Sequence, residues 1–188
     1  IDGFGATHLS LVYEGGMGDV LSPPLRLKAI DAVYRQVKIN LGNLESALLE
    51  SPGSYDQRSN DNDDPNAINW GGFQTTGAQI MRSAIIELAA RFGFTGYFPG
   101  QKINVRWASP WLGDLRASDY NRYLSEAAEQ VAAGVRFWQT QENSAPRLLM
   151  PFNEPLSGNG ELASGSTQEV VDLVKAIAER LRREGYSD

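Results

Sequence analysis

The sequence predicts an α/β protein built from parallel strand–helix units, the N-terminal half of a (β/α)8 TIM barrel. Two observations carry that expectation. A short apolar stretch followed by a long amphipathic one recurs four times. The residues with chemical potential fall just after the apolar stretches, where sites form in parallel α/β folds. Length decides between architectures: four units in 188 residues scale to a complete barrel within the range of roughly 200 to over 400 residues. A doubly wound sheet of four or five strands is the other architecture that this alternation allows. No linker or low-complexity tract interrupts the chain, so residues 1–188 are read as one partial domain of four units.

The first unit opens with an apolar, glycine-rich strand from Ile1 to Ala6 and a loop holding Gly15, Gly16 and Gly18. A helix is expected from Ser22-Pro23, because serine caps free N–H groups and proline at the first helical position loses no hydrogen bond. Ile30, Val33, Tyr34 and Val37 share its apolar face. The second strand is expected at Val37 to Leu41, overlapping the helix end. A polar loop over Ser51 to Thr76 follows, long enough to be functional or mobile. The next helix spans Gly77 to Phe92, with Ile80, Ala84, Ile85, Leu88 and Phe92 on one stripe and Gly93 as its stop.

The third strand is expected at Ile103 to Ala108. Its helix runs from Asp119 to Trp138, capped by Ser118, with Tyr123, Leu124, Ala127, Val131, Val135 and Trp138 inward. The fourth strand is Leu148 to Phe152. The last helix begins at Ser166-Thr167-Gln168-Glu169, a capping box in which serine and glutamate satisfy each other's backbone donors. Val170, Leu173, Val174, Ile177 and Leu181 form its apolar stripe. Arg180, Arg182 and Arg183 sit at the negative end of its dipole.

Composition excludes several function classes. A formal charge of −6 disfavours nucleic acid as a partner, since tracking a phosphate backbone needs a basic surface. The absence of cysteine removes disulfide scaffolds, thiolate metal sites and a cysteine nucleophile. No stretch approaches about 18 uninterrupted apolar residues, so no membrane span is expected. The chain starts at Ile1 without a signal-like segment, which suggests a processed or trimmed product.

Three segments carry candidate chemistry. Met150-Pro151-Phe152-Asn153-Glu154-Pro155 places a carboxylate beside an amide at the end of an apolar strand. That arrangement suits a general acid, although Asn-Glu-Pro is also a turn sequence. Trp107-Ala108-Ser109-Pro110-Trp111 ends the third strand. Trp107 reads as packing, whereas Trp111 is placed to stack on the C–H face of a sugar ring. Gly3-Phe4-Gly5-Ala6-Thr7-His8 lacks the third glycine of a phosphate-binding loop. His8, the single histidine, builds neither a multi-histidine zinc site nor an identifiable Ser–His pair, and reads as a hydrogen-bonded wall residue. Asp61, Asp63 and Asp64 lack the glycine and terminal glutamate of a calcium loop and read as a solvated acidic loop. No metal and no cofactor is expected.

Taken together, Gly3-Phe4-Gly5-Ala6, Ala108-Ser109-Pro110-Trp111 and Asn153-Glu154-Pro155 resemble the strand ends of clan A glycoside hydrolases, family 30 most closely. That family includes xylanases, glucosylceramidases and β-1,6-galactanases or glucanases. Tyr120-Asn121-Arg122-Tyr123-Leu124 also resembles the family's third helix. The resemblance implies a retaining β-glycoside hydrolase with a poly- or oligosaccharide substrate and a secreted or periplasmic location. It makes Glu154 the acid/base, Asn153 the ligand of the sugar 2-hydroxyl and Trp111 a wall of the same subsite. Ser109, Phe4, His8 and Asn40 complete the expected substrate-binding set.

The chain departs from the family at three places. Gly42-Asn43-Leu44-Glu45 stands where Ser-Asp-Phe is frequent, Leu112-Gly113-Asp114 follows Trp111, and Phe152 replaces a polar residue. A retaining mechanism needs a second carboxyl about 5–5.5 Å from the first. The family's nucleophile ends its seventh strand, to which no residue here corresponds. Without that neighbour, Glu154 is expected to be ionised at pH 7 and the 188 residues alone to be inactive. A half-barrel would expose two sheet edges, so pairing with the missing half or a second copy is expected. The alternative function is a non-catalytic carbohydrate-binding or assembly domain.

Overall fold

The computed structural model describes residues 5–7, 25, 28, 32, 41–44, 49–50, 59–74, 96–99, 109–142, 149, 151–152, 155–156, 162 and 165–186. Helices dominate this set. The strands are short: β1 (Gly5–Thr7), β2 (Leu41–Leu44), β3 (Leu49–Glu50), β4 (Phe73–Gln74) and β5 (Gly96–Pro99). The first, second and fifth pair in parallel in the order β1-β2-β5, with Gly5 opposite Leu41 and Leu41 opposite Gly96. β3 and β4 form a separate antiparallel pair. The helices are α1 (Pro110–Ser118), α2 (Tyr120–Glu142) and α3 (Thr167–Arg183).

This arrangement corrects the half-barrel expectation. A barrel helix covers the outside of the sheet with one apolar stripe and leaves its other side to water. In α2 every residue from 126 to 135 is buried, so the helix is wrapped on all sides and forms the centre. It packs against both α1 and α3. The expected fourth strand fails at its described residues: Leu149, Pro151 and Phe152 lie outside any strand, and Pro155 and Leu156 are in a turn. The antiparallel pair has no place in a parallel barrel. Strand two begins where its expectation ended, at Leu41. The expected strand at 103–108 and helix at 77–92 lie outside the described residues. Leu25 and Lys28 are helical, within the helix expected after Ser22-Pro23.

Local chemistry explains the helix boundaries. Pro110 starts α1 at a position that needs no N–H, and Leu112 N–H bonds the Ser109 carbonyl at 3.0 Å. The cap of α2 is Asp119 rather than Ser118: its carboxylate accepts from Arg122 N–H at 3.0 Å, and its carbonyl accepts from Tyr123 N–H at 2.9 Å. The Ser118 hydroxyl instead donates to the Asp114 carbonyl inside α1. A separate helix, α1, therefore precedes the one expected from Asp119. At α3, Ser166 accepts from Glu169 N–H at 3.1 Å as expected, but the Glu169 carboxylate turns inward and leaves the box half-formed. The far end of α3 closes through Gly185 at φ 90°, where Tyr186 N–H reaches Leu181 O and Gly185 N–H reaches Arg182 O.

One hydrophobic cluster joins the helices: Leu112 of α1, Tyr123, Ala127, Ala128 and Val131 of α2, Leu162, and Leu173 and Ile177 of α3. The inward set expected for α2 is buried at Tyr123, Ala127, Val131 and Val135, with Leu124 half-buried. In α3, Leu173 and Ile177 are buried but Val174 is 48% exposed. Its place on the inner face is taken by charge, because Glu169 and Arg180 are each only 4% exposed.

Glu169 is held from two helices. Arg116 of α1 forms an ion pair with it at 2.6 Å and also donates to Leu162 O at 2.9 Å, while the Tyr123 hydroxyl donates to its other oxygen at 2.8 Å. A buried carboxylate loses its hydration, so these bonds replace water. Tyr123→Phe removes one donor without changing shape. It is expected to lower unfolding free energy by about 1.5–3 kcal/mol, and urea denaturation followed by circular dichroism measures this.

Residues 59–74 were expected to be part of a functional or mobile polar loop with a solvated acidic cluster. Asp63 and Asp64 are exposed, and Asn and Asp side chains order the segment by bonding nearby backbone. Asp61 accepts from Asn69 N–H at 2.6 Å and from Asn62 Nδ2 at 2.8 Å; Asn62 accepts from Asp64 N–H at 2.6 Å, and Asp64 from Asn66 N–H at 3.0 Å. Asn69 caps a 3-10 turn at Trp70–Gly72, and Trp70 tilts against the buried Phe73. Arg122 pairs with Asp63 at 2.7 Å, and Arg180 donates to the Pro65 carbonyl, fixing the segment to α2 and α3. A Cβ on Gly72 would lie 2.4 Å from Asp61 Cβ and 2.7 Å from its Cα. Gly72→Ala is therefore expected to cost about 1–3 kcal/mol, read as a lower urea midpoint.

Candidate functional site

Of the expected site residues, Ser109 and Trp111 are described; Trp111 packs on the helical core, as does Phe152, the residue before Asn153. Trp111 is in the first turn of α1, and both it and Phe152 pack, half-buried, against the cluster centred on Leu112 and Tyr123. Leu149 packs there as well. The chain that leads directly into Asn153-Glu154 is thus seated on the same core as the Trp111 indole. The Trp111 Nε1 is buried without a hydrogen-bond acceptor, an orphaned donor at this place. Asn153, Glu154, Phe4, His8 and Asn40 lie outside the described residues, as does Trp107.

Ser109 has a different setting from the one expected. It is fully buried, and its hydroxyl accepts from Gln130 Nε2 of α2 at 3.0 Å. This bond ties the start of α1 to the middle of α2 and so positions Trp111 two residues on.

Next to Gln130 is a feature that sequence reasoning missed. Glu126 and Glu129 of α2 are both 0% exposed. Glu126 receives Arg122 Nε at 3.1 Å on one oxygen, while its other oxygen and both oxygens of Glu129 are buried without a donor. Burial pushes the Glu129 carboxyl up to about 8; the nearby charges of Asp61 and Glu126 add to this, against the pull of Arg180. A signal for these buried acids does exist in the sequence. They alternate with Ala127, Ala128, Val131, Ala132 and Ala133, so small apolar residues occur on every side of the helix.

Among the described residues, no group of three or more His, Cys, Asp or Glu is arranged to hold a metal ion. No helix among them is long and apolar enough to cross a membrane. No protein-family model, curated protein or solved structure matches the chain.

The two contacts of Arg122 differ in what they protect. The Asp63 side chain is 99% exposed, whereas Glu126 has no access to water. Surface pairs contribute little, but a buried carboxylate left without its cation is costly. Arg122→Leu is expected to destabilise the chain more than Asp63→Asn, as ranked by thermal unfolding of the two variants side by side.

Proposed function

We propose that this chain contributes the acid/base and sugar-contacting side of a retaining β-glycoside hydrolase site. In this reading, Glu154 donates a proton to the leaving oxygen and later accepts one from water. Asn153 bonds the sugar 2-hydroxyl, and Trp111 stacks on the ring. The reading is supported chiefly by the packing of Trp111 and of Phe152, the residue before Asn153, on one hydrophobic cluster. The second carboxylate that a retaining mechanism requires is assigned to no residue of this chain, so binding, rather than turnover, is the direct test.

Titration calorimetry with xylo-, gluco- and galacto-oligosaccharides is expected to show saturable binding of one series. Trp111→Ala should weaken it about tenfold, the value of an aromatic contact of roughly 1–1.5 kcal/mol. Asn153→Ala should weaken it too, and Glu154→Gln, which keeps the side chain's shape, should leave it in place. Absence of binding by all three series, or binding indifferent to Trp111→Ala, would overturn the reading. Binding with no turnover in any assembly containing the chain would favour a carbohydrate-binding module.

A further inference from the structure

The geometry points to a proton-operated latch: a proton held between buried carboxyls of α2 keeps the 59–74 segment seated on α2 and α3, and its loss loosens that segment. Around Glu126 and Glu129, the core of α2 holds carboxylate oxygens in excess of donors. Both Glu129 oxygens and one Glu126 oxygen are sealed from water with no donor, and Asn60 Oδ1 of the seated segment is buried in the same condition. Buried acceptors without donors are costly, and a metal ion is not the remedy among the described residues, where no suitable ligand group occurs. A single proton on Glu129 removes one of the charges and supplies a donor.

The surrounding charges show why the segment responds. From α2 itself, Glu126 opposes ionisation of Glu129, and Arg122 is already engaged by Glu126 and Asp63. From the 59–74 segment, Asp61 presents a second negative charge. From α3, Arg180 favours ionisation, but its guanidinium is shared with Glu184 at 2.6 Å and with the Pro65 carbonyl. From α1, Arg116 is committed to Glu169. An ionised Glu129 therefore repels Asp61, which weakens the seating of the segment that Arg122 and Arg180 hold at Asp63 and Pro65.

The direction with pH follows from linkage. Seated, the Glu129 carboxyl titrates at about 8; released to water, it would titrate near the ordinary ~4.3. The seated form binds the proton more tightly, so seating is strongest below ~4.3 and weakens as pH rises. Through the middle of the window the equilibrium falls by about tenfold per pH unit, and it levels off above about 8.

The chain has no cysteine, so Ala67→Cys, at an exposed position, carries a spin label on the segment without competing sites. In the full chain, label mobility is expected to rise as pH goes from 5 to 8 and to flatten beyond, and Glu129→Gln should make it independent of pH. A label indifferent to pH, or one with the same profile in Glu129→Gln, would overturn the latch. Should Glu129→Gln not fold, Asp61→Asn supplies the decision. Removing the opposing charge should move the midpoint to lower pH, and an unmoved midpoint would overturn the latch.

Discussion

Glu169 is the constraint on which the described fold depends. Its carboxylate is almost fully buried and is held by Arg116 from α1 and by Tyr123 from α2, while its own N–H is capped by Ser166 at the start of α3. Three helices thus meet at one charge. Removing such a charge from water is expensive, and only geometry that replaces its hydration makes the burial tolerable. Burial also pushes the Tyr123 hydroxyl far above its ordinary pKa, so it remains a donor throughout the physiological range. The apolar cluster around Leu112, Leu162 and Leu173 then closes over this contact.

The sequence was most informative where one side of a helix is apolar and the other polar. Tyr123, Ala127, Val131 and Val135 follow that rule, and the Ser166 cap is readable from its spacing. Legibility failed where buried positions carry charge. Glu126, Glu129, Glu169 and Arg180 look like solvent-facing residues in a hydropathy pattern, so the inner side of α3 was assigned to Val174 when it includes Arg180. The short apolar run at 148–152 fits either a strand or a packed loop; its described residues Leu149, Pro151 and Phe152 lie outside any strand, and Leu149 and Phe152 pack on the helical core. Asp119 displaced Ser118 as a cap because the serine hydroxyl found a carbonyl within α1. The order within residues 59–74 comes from Asn and Asp bonding their own backbone, which composition alone reads as a solvated loop.

Two polar systems meet at the same central helix. One is saturated with partners at Glu169 and fixes the packing. The other, at Glu126 and Glu129, is short of donors. Trp111 packs on the cluster that holds Tyr123 of the saturated system, and Ser109 accepts from Gln130 beside the unsaturated one. A core divided in this way can hold an aromatic wall rigidly while leaving the 59–74 segment responsive.

The most direct examination of this account is a carbon-edited nuclear Overhauser measurement on the 188-residue chain, with the Trp111 and Phe152 rings resolved by selective labelling. Both rings should show cross-peaks to methyl groups of the shared set Leu112, Leu162, Leu173 and Ile177. A Phe152 ring without any cross-peak to those methyls would separate the Asn153-Glu154 segment from the indole and contradict the account.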